Sequence, residues 1–570
     1  MGRLFGTDGV RGKAGEYPLN PPTIRKLGAA LARALGHGSP GVRFLSGRDT
    51  RESGEWIERE LAAGIRSEAG TLTSAGVIPT PAIAYLTPRK GYAAGVVISA
   101  SHNPFGDNGI KVFSGTGEKF TERLEDEVES IMATLSDGPA EAGHSDASSD
   151  SPAEAGHYDA SSDGPAEAGH YDASSDSPAR AGHYGNTVSH GPAEAGHYDN
   201  TVARTPGRHD NTAAWTPERH DNTAAWTPRR RDNTAAPASR HGDYTGAPAS
   251  AHDDNTAGSA DVVSGFSRTV NAIDYRSDYI AHLLGILPPH ARPFSGRIVV
   301  DCANGATTTV APALFRQLGY DATCIGCAPD GRNINLGCGS TAPELLARTV
   351  VDSGSEMGIA YDGDGDRAIF IDAGGRVVDG DAVMLMCAKQ MKAEGRLKGN
   401  AVVATVMSNI GLEIALRQAG IDLVRCAVGD KYVMEEMLKR GLSLGGEQSG
   451  HIIFSEYLFT GDGLATSLNV LRTMVATGRT LADLASDLTT FPQVLLNVRM
   501  TRRVDLTMIP EVAAVMSAVE SKLEGHGRLL VRYSGTEPLL RVMLEGRDES
   551  EIRRWGEEIV SAVQQHVKPQ

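Results

Sequence analysis

The stretch Gly358-Ile359-Ala360-Tyr361-Asp362-Gly363-Asp364-Gly365-Asp366-Arg367-Ala368-Ile369-Phe370-Ile371 decides the fold class. Its apolar ends have the length and composition of buried strands, and a charged glycine-spaced loop separates them. Three carboxylates at alternate positions, with glycine between them, can turn inward on one hard cation. Mg2+ prefers oxygen ligands and leaves room for a phosphate oxygen. An EF-hand would need a longer loop with a distant Glu, which this stretch lacks. A solvated acidic turn is the plainer alternative, but clustered carboxylates repel one another unless something compensates them.

The same pattern of apolar run then polar loop recurs outward from this point. Arg43-Phe44-Leu45 reads as a short strand ending in the loop Ser46-Gly47-Arg48-Asp49-Thr50. Ile57, Leu61 and Ile65 then recur every four residues on a helix that Ser53 is placed to cap. Val96-Val97-Ile98 leads into a loop at Ser99, and Ile298-Val299-Val300 into Asp301-Cys302-Ala303-Asn304-Gly305. Ala401 to Val406 precedes a helix bearing Leu412, Ile414 and Leu416. This alternation predicts α/β layers with parallel or mixed sheets, whose strand ends present ligand loops. The end of the chain differs. Leu529-Leu530-Val531 and Arg541-Val542-Met543-Leu544 flank a loop, and a helix follows near Glu551 to Val563, an α+β pattern for a smaller last domain.

The 570 residues are 40% hydrophobic and 22% charged, the balance of a globular protein with several domains. No run of about 18 uncharged apolar residues occurs, so no membrane partner is expected. The first residues lack the apolar stretch of a secretory signal, and Met1-Gly2 opens a glycine-rich loop rather than a myristoylation motif. Six cysteines lie between Cys302 and Cys426, usage that fits a reducing cytoplasm better than a disulfide framework. Cys324 and Cys327 form one CxxC pair, but no second pair completes a zinc set, so two thiols beside a strand is the reading preferred. A net charge of −16 argues against nucleic acid as a partner.

Most of that charge sits in one foreign segment. Residues 137–262 contain 20 Asp or Glu against 8 Arg, about −12 of the total, and 10 of the 17 histidines. No Leu, Ile, Met, Phe, Lys or Cys occurs between Leu135 and Val262. Pro139, Pro152, Pro165 and Pro178 mark a repeat with a 13-residue step, and Pro206, Pro217 and Pro228 a second with a step of 11. A solenoid would need an aliphatic face in each unit. These units have too little apolar surface to offset the entropy of ordering, so a disordered insertion is expected, a passenger dispensable for activity. The domain boundaries read as 1–136, 263–378, 379–490 and 491–570 around it.

Three further loops carry chemistry. Ser99-Ala100-Ser101-His102-Asn103-Pro104, followed by Asp107-Asn108-Gly109-Ile110-Lys111, places a serine past a strand end with a histidine beside it and a lysine ten residues on. That suits a nucleophile holding a phosphoryl group, although alone it reads equally as a capped turn. Gly445-Gly446-Glu447-Gln448-Ser449-Gly450-His451 offers hydrogen-bonding groups for sugar hydroxyls. Arg532-Tyr533-Ser534-Gly535-Thr536-Glu537-Pro538, with Arg541 beyond, can aim backbone N–H groups, hydroxyls and guanidinium at an anion.

These loops, with Phe5-Gly6-Thr7-Asp8-Gly9-Val10-Arg11-Gly12, resemble the α-D-phosphohexomutase superfamily in identity and order, over essentially the whole chain outside the insertion. Within it, Gln448 and Gly429-Asp430-Lys431-Tyr432-Val433 are similar to the branch acting on glucosamine phosphates. The resemblance implies three mixed α/β domains and a smaller C-terminal α+β domain. It implies interconversion of glucosamine 6-phosphate and glucosamine 1-phosphate through a phosphorylated Ser101 and a sugar bisphosphate, feeding UDP-N-acetylglucosamine and wall synthesis. By the same likeness Asp362, Asp364 and Asp366 bind one Mg2+ together with the Ser101 phosphate. Lys111 serves as general acid/base, with Arg11 and His102 nearby. Arg367, Glu447, Ser449 and His451 contact the substrate, and Arg532, Ser534, Gly535, Thr536 and Arg541 its other phosphate. A homodimer is compatible with it. Tyr533, where Lys or Pro is commoner, and Ala342, where His is usual, depart from the family pattern. The rivals are a phosphomannomutase or phosphoglucomutase, an Asp-nucleophile phosphatase, and an inactive binding protein acting through its repeats.

Overall fold

Apolar runs and amphipathic helices assemble into sheets whose hairpins carry the loops named above. The computed structural model describes residues 3–6, 8–36, 41–135, 270–287, 296–500, 502–523, 525–534 and 538–567. These all belong to one compact unit. The repeat insertion lies outside the described residues.

The first layer contains β1 (Val10–Lys13), α1 (Pro21–Gly36), β2 (Arg43–Arg48), α2 (Gly54–Ser67), β3 (Thr71–Val77), α3 (Thr80–Arg89), β4 (Ala94–Ile98), β5 (Asp107–Ser114), α4 (Glu122–Thr134) and β6 (Asn271–Ala272). Its sheet runs β1-β5-β4-β2-β3-β6. β2 is parallel to β3 and β4, which is why Val96, Val97 and Ile98 are all buried: helices cover both faces. β5 returns antiparallel to β4, so Ser101 sits on the hairpin joining them, and Lys111 pairs with Val97.

The second layer contains α5 (Arg276–Leu284), β7 (Arg297–Asp301), α6 (Ala311–Leu318), β8 (Asp321–Ile325), α7 (Glu344–Ser353), β9 (Met357–Tyr361), β10 (Ala368–Asp372) and β11 (Val377–Val378), with sheet order β11-β10-β9-β7-β8. The third contains α8 (Gly380–Ala393), β12 (Ala401–Thr405), α9 (Ile410–Gln418), β13 (Asp422–Cys426), α10 (Asp430–Arg440), β14 (Leu444–Gly446), β15 (Ile452–Phe454), α11 (Gly463–Thr477) and α12 (Leu481–Ala485), with order β13-β12-β14-β15. The last contains β16 (Gln493–Arg499), α13 (Pro510–Leu523), β17 (Arg528–Tyr533), β18 (Leu539–Glu545) and α14 (Glu549–His566), a wholly antiparallel β16-β18-β17 sheet under two helices.

Each chemical loop therefore occupies the same place in its layer, a connection between antiparallel neighbours: β4–β5, β9–β10, β14–β15 and β17–β18. One apolar core, from Leu45 and Val97 through Ile298 and Phe370 to Val402 and Leu464, links the first three layers. A separate core of Val494, Val512, Leu544 and Ile559 serves the last. Among the described residues no helix is long and apolar enough to cross a membrane.

Two local expectations change. The strand expected at 43–45 continues to Arg48, because polar Ser46 is buried and its hydroxyl donates to Glu58 Oε1 at 2.7 Å. Ser53 occupies the N-cap position of α2 but makes no capping bond; its hydroxyl instead accepts from Asn108 Nδ2 at 2.8 Å.

Candidate active site

Ser101 Oγ donates to Asp362 Oδ2 across 261 residues of sequence. This contact joins the first two loops, and around it the carboxylates of Asp362, Asp364 and Asp366 each offer an oxygen, all within 4.8 Å of one another. All three aspartates are buried. Burial, then the like charges of Asp366 and Asp364, raise Asp362 well above the usual carboxylate range. Asp364 Oδ1 and Asp366 Oδ1 are buried without a hydrogen-bond partner. Clustered buried carboxylate oxygens, two of them without a hydrogen-bond donor, suit a hard divalent cation, so the residues present fit such a site.

The other side of the cluster is cationic. Lys111 Nζ lies 2.9 Å from Asp364 Oδ2, 3.0 Å from Asp366 Oδ2 and 3.0 Å from Asp8 Oδ2. Burial alone would lower this ammonium's pKa, yet Asp364, Asp366 and Asp8 outweigh it and hold Lys111 well above its ordinary range. Burial would likewise raise Asp8, but Lys111 and Lys119 keep it well below. His102 Nδ1 stands 3.4 Å from Ser101 Oγ. Burial, with Arg367 and Arg11 nearby, lowers its pKa to about 3, so its ring is neutral at pH 7. Arg11 pairs with Asp8 and donates to the Ala100 carbonyl at 3.4 Å.

In the third loop Glu447 accepts from Gly429 N at 3.1 Å and from Ser449 Oγ at 3.4 Å. His451 is buried, its Nδ1 3.6 Å from Asp366 Oδ1 and its Nε2 3.3 Å from Asp430 Oδ2. Burial opposes its protonation, but Asp366 and Asp430 prevail and raise it. In the fourth loop Arg532 and Arg541 sit directly opposite each other on β17 and β18. Like charges in that register repel, and an anion between them would relieve the repulsion. Arg503 Nη2 donates to the Ser534 carbonyl at 2.7 Å beside them. Gly535 and Thr536 lie outside the described residues.

Comparison with known proteins agrees with this architecture layer by layer. The phosphoglucomutase/phosphomannomutase α/β/α domains I, II and III match residues 2–138, 277–375 and 379–491, and the C-terminal domain of that family matches 495–562. A phosphoglucosamine mutase of Geobacter sp. (strain M21) is 38% identical over 567 residues, spanning 100% of this chain and 99% of its own. The chain belongs to the phosphoglucosamine mutase family. One of Heliobacterium modesticaldum is 39% identical over 97% of each chain. In fold the chain is similar to a phosphoglucomutase/phosphomannomutase family protein of Burkholderia thailandensis, with TM-score 0.64 and 17% identity over 99% of this chain and 98% of that one. A Thermus thermophilus structure described as a putative phosphomannomutase gives 0.62 and 19% over 98% of each.

Membership makes the chain a phosphohexomutase, an isomerase, and the structure gives contacts to positions that the sequence marked. Gln448, taken from the sequence as a mark of the phosphoglucosamine mutases, has its side chain on Asp379 Oδ2 at 3.0 Å, while its carbonyl accepts from Gly380 N. It anchors the third loop to the start of α8. Tyr533, one of the two departures, donates its hydroxyl to the Val504 carbonyl and accepts from Val504 N, so it ties β17 to the segment before α13. Nothing in the structure explains Ala342. Cys324 and Cys327 are free thiols, and hydrogen bonding with Cys327 heads the causes that raise Cys324.

Asp8, Thr80, Lys119, Asp430, Arg51 and Asn335 were not legible as site residues. Thr80 Oγ1 donates to Asp364 Oδ2 at 2.6 Å, and Lys119 bridges Asp8 and Asp430. Each makes a contact far along the chain, and only Asp8, in the Phe5–Gly12 stretch, and Asp430, in the stretch at 429–433, lie in segments that gave any sequence signal. Replacing Arg541 with alanine removes half of the opposed arginine pair. The expected result is a KM raised about 10- to 100-fold, the worth of one or two hydrogen bonds to a charged group, with a smaller change in kcat. Steady-state kinetics check it.

Proposed function

We propose that this chain interconverts glucosamine 6-phosphate and glucosamine 1-phosphate, carrying the phosphoryl group on Ser101. The observation that carries this reading is the buried hydroxyl of Ser101 donating to an aspartate triad that Lys111 backs with a positive charge. The phosphoryl group passes from Ser101 Oγ to the free sugar hydroxyl: the Oγ–P bond breaks, the sugar O–P bond forms, and in net terms the hydroxyl proton ends on Ser101 Oγ. The resulting bisphosphate turns over in the site and returns its other phosphoryl group to the serine. Asp362, Asp364 and Asp366 would hold Mg2+ together with the serine phosphate. When bound, that ion would neutralise charge on the transferring phosphoryl oxygens.

The chain's own residues do the rest. Lys111, held protonated by Asp8, Asp364 and Asp366, gives a proton to the oxygen leaving phosphorus and is reprotonated from the attacking hydroxyl. With its one hydrogen given to Asp362, Ser101 Oγ accepts from neutral His102 Nδ1 when the serine is free. Arg11 and Arg367 add positive charge around the serine loop. Glu447 and Ser449 receive the sugar, and a carboxylate at 447 suits a protonated 2-amine. His451 supports Asp366 from behind. Arg532 and Arg541, with Ser534, Gly535 and Thr536, hold the phosphate that is not being transferred.

The test is a coupled assay with glucosamine 6-phosphate, Mg2+ and a catalytic amount of glucose 1,6-bisphosphate, run beside mannose 6-phosphate and glucose 6-phosphate. Highest kcat/KM for the amino sugar is expected. Higher values for mannose or glucose would replace this substrate with that of a phosphomannomutase or phosphoglucomutase.

A further inference from the structure

Ser101 has φ +53°, in the left-handed region that L residues with a Cβ rarely adopt. Such a conformation persists where its surroundings over-determine it. Here two side chains from different layers converge on the same two carbonyls. Arg51, fully buried and paired with Asp49, donates through Nη2 to the Ser101 carbonyl at 3.2 Å and to the Asn103 carbonyl at 2.5 Å. Asn335, from the second layer, donates through Nδ2 to the Ser101 carbonyl at 2.9 Å and to the Asn103 carbonyl at 3.3 Å.

Asn335 is itself held in place. Its φ is +57°, a conformation asparagine tolerates better than most residues, and its backbone N–H donates to the Ala303 carbonyl at 2.9 Å. A Cβ added at Gly363, in the aspartate loop, would meet the Ser101 carbonyl at 2.6 Å and Asn335 Nδ2 at 2.8 Å. The serine turn, the aspartate loop and the Asn335 amide therefore meet at one point.

We infer that Asn335 is a positioning residue for phosphoryl transfer. Its amide locks the serine turn in the left-handed form against the second layer, and this fixes Ser101 Oγ relative to the aspartates. Arg51 holds the same carbonyls from within the first layer and does not relate them to the aspartate loop. Asn335 does. The inference rests on Ser101 being the phosphoryl carrier.

Two variants test it. Asn335→Gly keeps a left-handed backbone and removes both donors, whereas Asn335→Asp keeps the shape and turns donors into acceptors. Dephosphorylated enzyme in Mg2+ buffer is mixed with glucose 1,6-bisphosphate, and phosphoryl uptake is followed by intact mass. In that step the Ser101 Oγ–P bond forms, a sugar O–P bond breaks, and the serine proton passes to the sugar oxygen. Both variants are expected to slow uptake and kcat by about 100-fold, the cost of an ångström-scale misplacement, with KM within about threefold of wild type. Wild-type uptake in either folded variant, or a rise in KM that accounts for the loss, overturns the inference. The two substitutions perturb folding differently, so either one that folds decides it. Absence of uptake by the wild-type enzyme would instead refute Ser101 as the carrier.

Discussion

Ser101→Ala is expected to reduce mutase turnover by at least about 10⁴-fold, as removal of an attacking nucleophile does elsewhere. Ser101 is buried and its hydroxyl's partners are Asp362 and His102. Alanine adds no volume and occupies the same left-handed backbone with no new strain. The thermal midpoint should therefore remain within a few degrees of wild type while activity vanishes. The competing chemistry, an aspartate nucleophile suggested by the Asp-Gly-Asp-Gly-Asp sequence alone, predicts the opposite. An Asp-nucleophile phosphatase would keep its hydrolytic activity after the substitution. Assaying mutase turnover and sugar-phosphate hydrolysis on one preparation separates the two, and retained turnover above about 1% would remove Ser101 from the mechanism.

What the sequence reveals of the fold and the site depends on the kind of signal. The aspartate loop was readable because alternation with glycine, between two apolar runs, has few physical explanations. The α/β layers were readable because runs such as Val96-Val97-Ile98 are buried on both faces. Periodicity has nothing to say about a polar residue inside a strand, and Ser46 shows why. It belongs in β2 because Glu58, buried at the other side of a helix–sheet contact, accepts from both Ser46 and Ser74. The same holds at the active site. Lys111 stood out for its distance from Ser101 in the sequence, but its pairing with Asp8 and two aspartates some 250 residues away is a product of packing. Asn335 sits in a loop with no motif of its own. Gln448 is legible as a mark of the family, but its contact with Asp379 is not.

Lys111→Met is the second large effect, and it separates charge from proton transfer. The ammonium is buried among Asp8, Asp364 and Asp366, and methionine would match its length without its charge. Breaking a buried ion pair leaves its partners uncompensated, at a cost of about 3–5 kcal/mol. In the presence of a chelator, urea unfolding of the variant should shift by that order. Adding Mg2+ should recover more stability in the variant than in wild type, because the cation then meets carboxylates that no longer have a lysine to share. Turnover should fall by about 10²–10⁴-fold, the range for loss of a positioned acid or base, and Mg2+ should not restore it. Lys111→Arg sharpens the distinction. A guanidinium keeps the positive charge but cannot give up its proton at neutral pH, so stability should return in part while turnover stays low. If arginine restored both together, Lys111 would be acting as a fixed charge, and the proton would have to travel through another group in contact with Ser101 Oγ, Asp362 or His102.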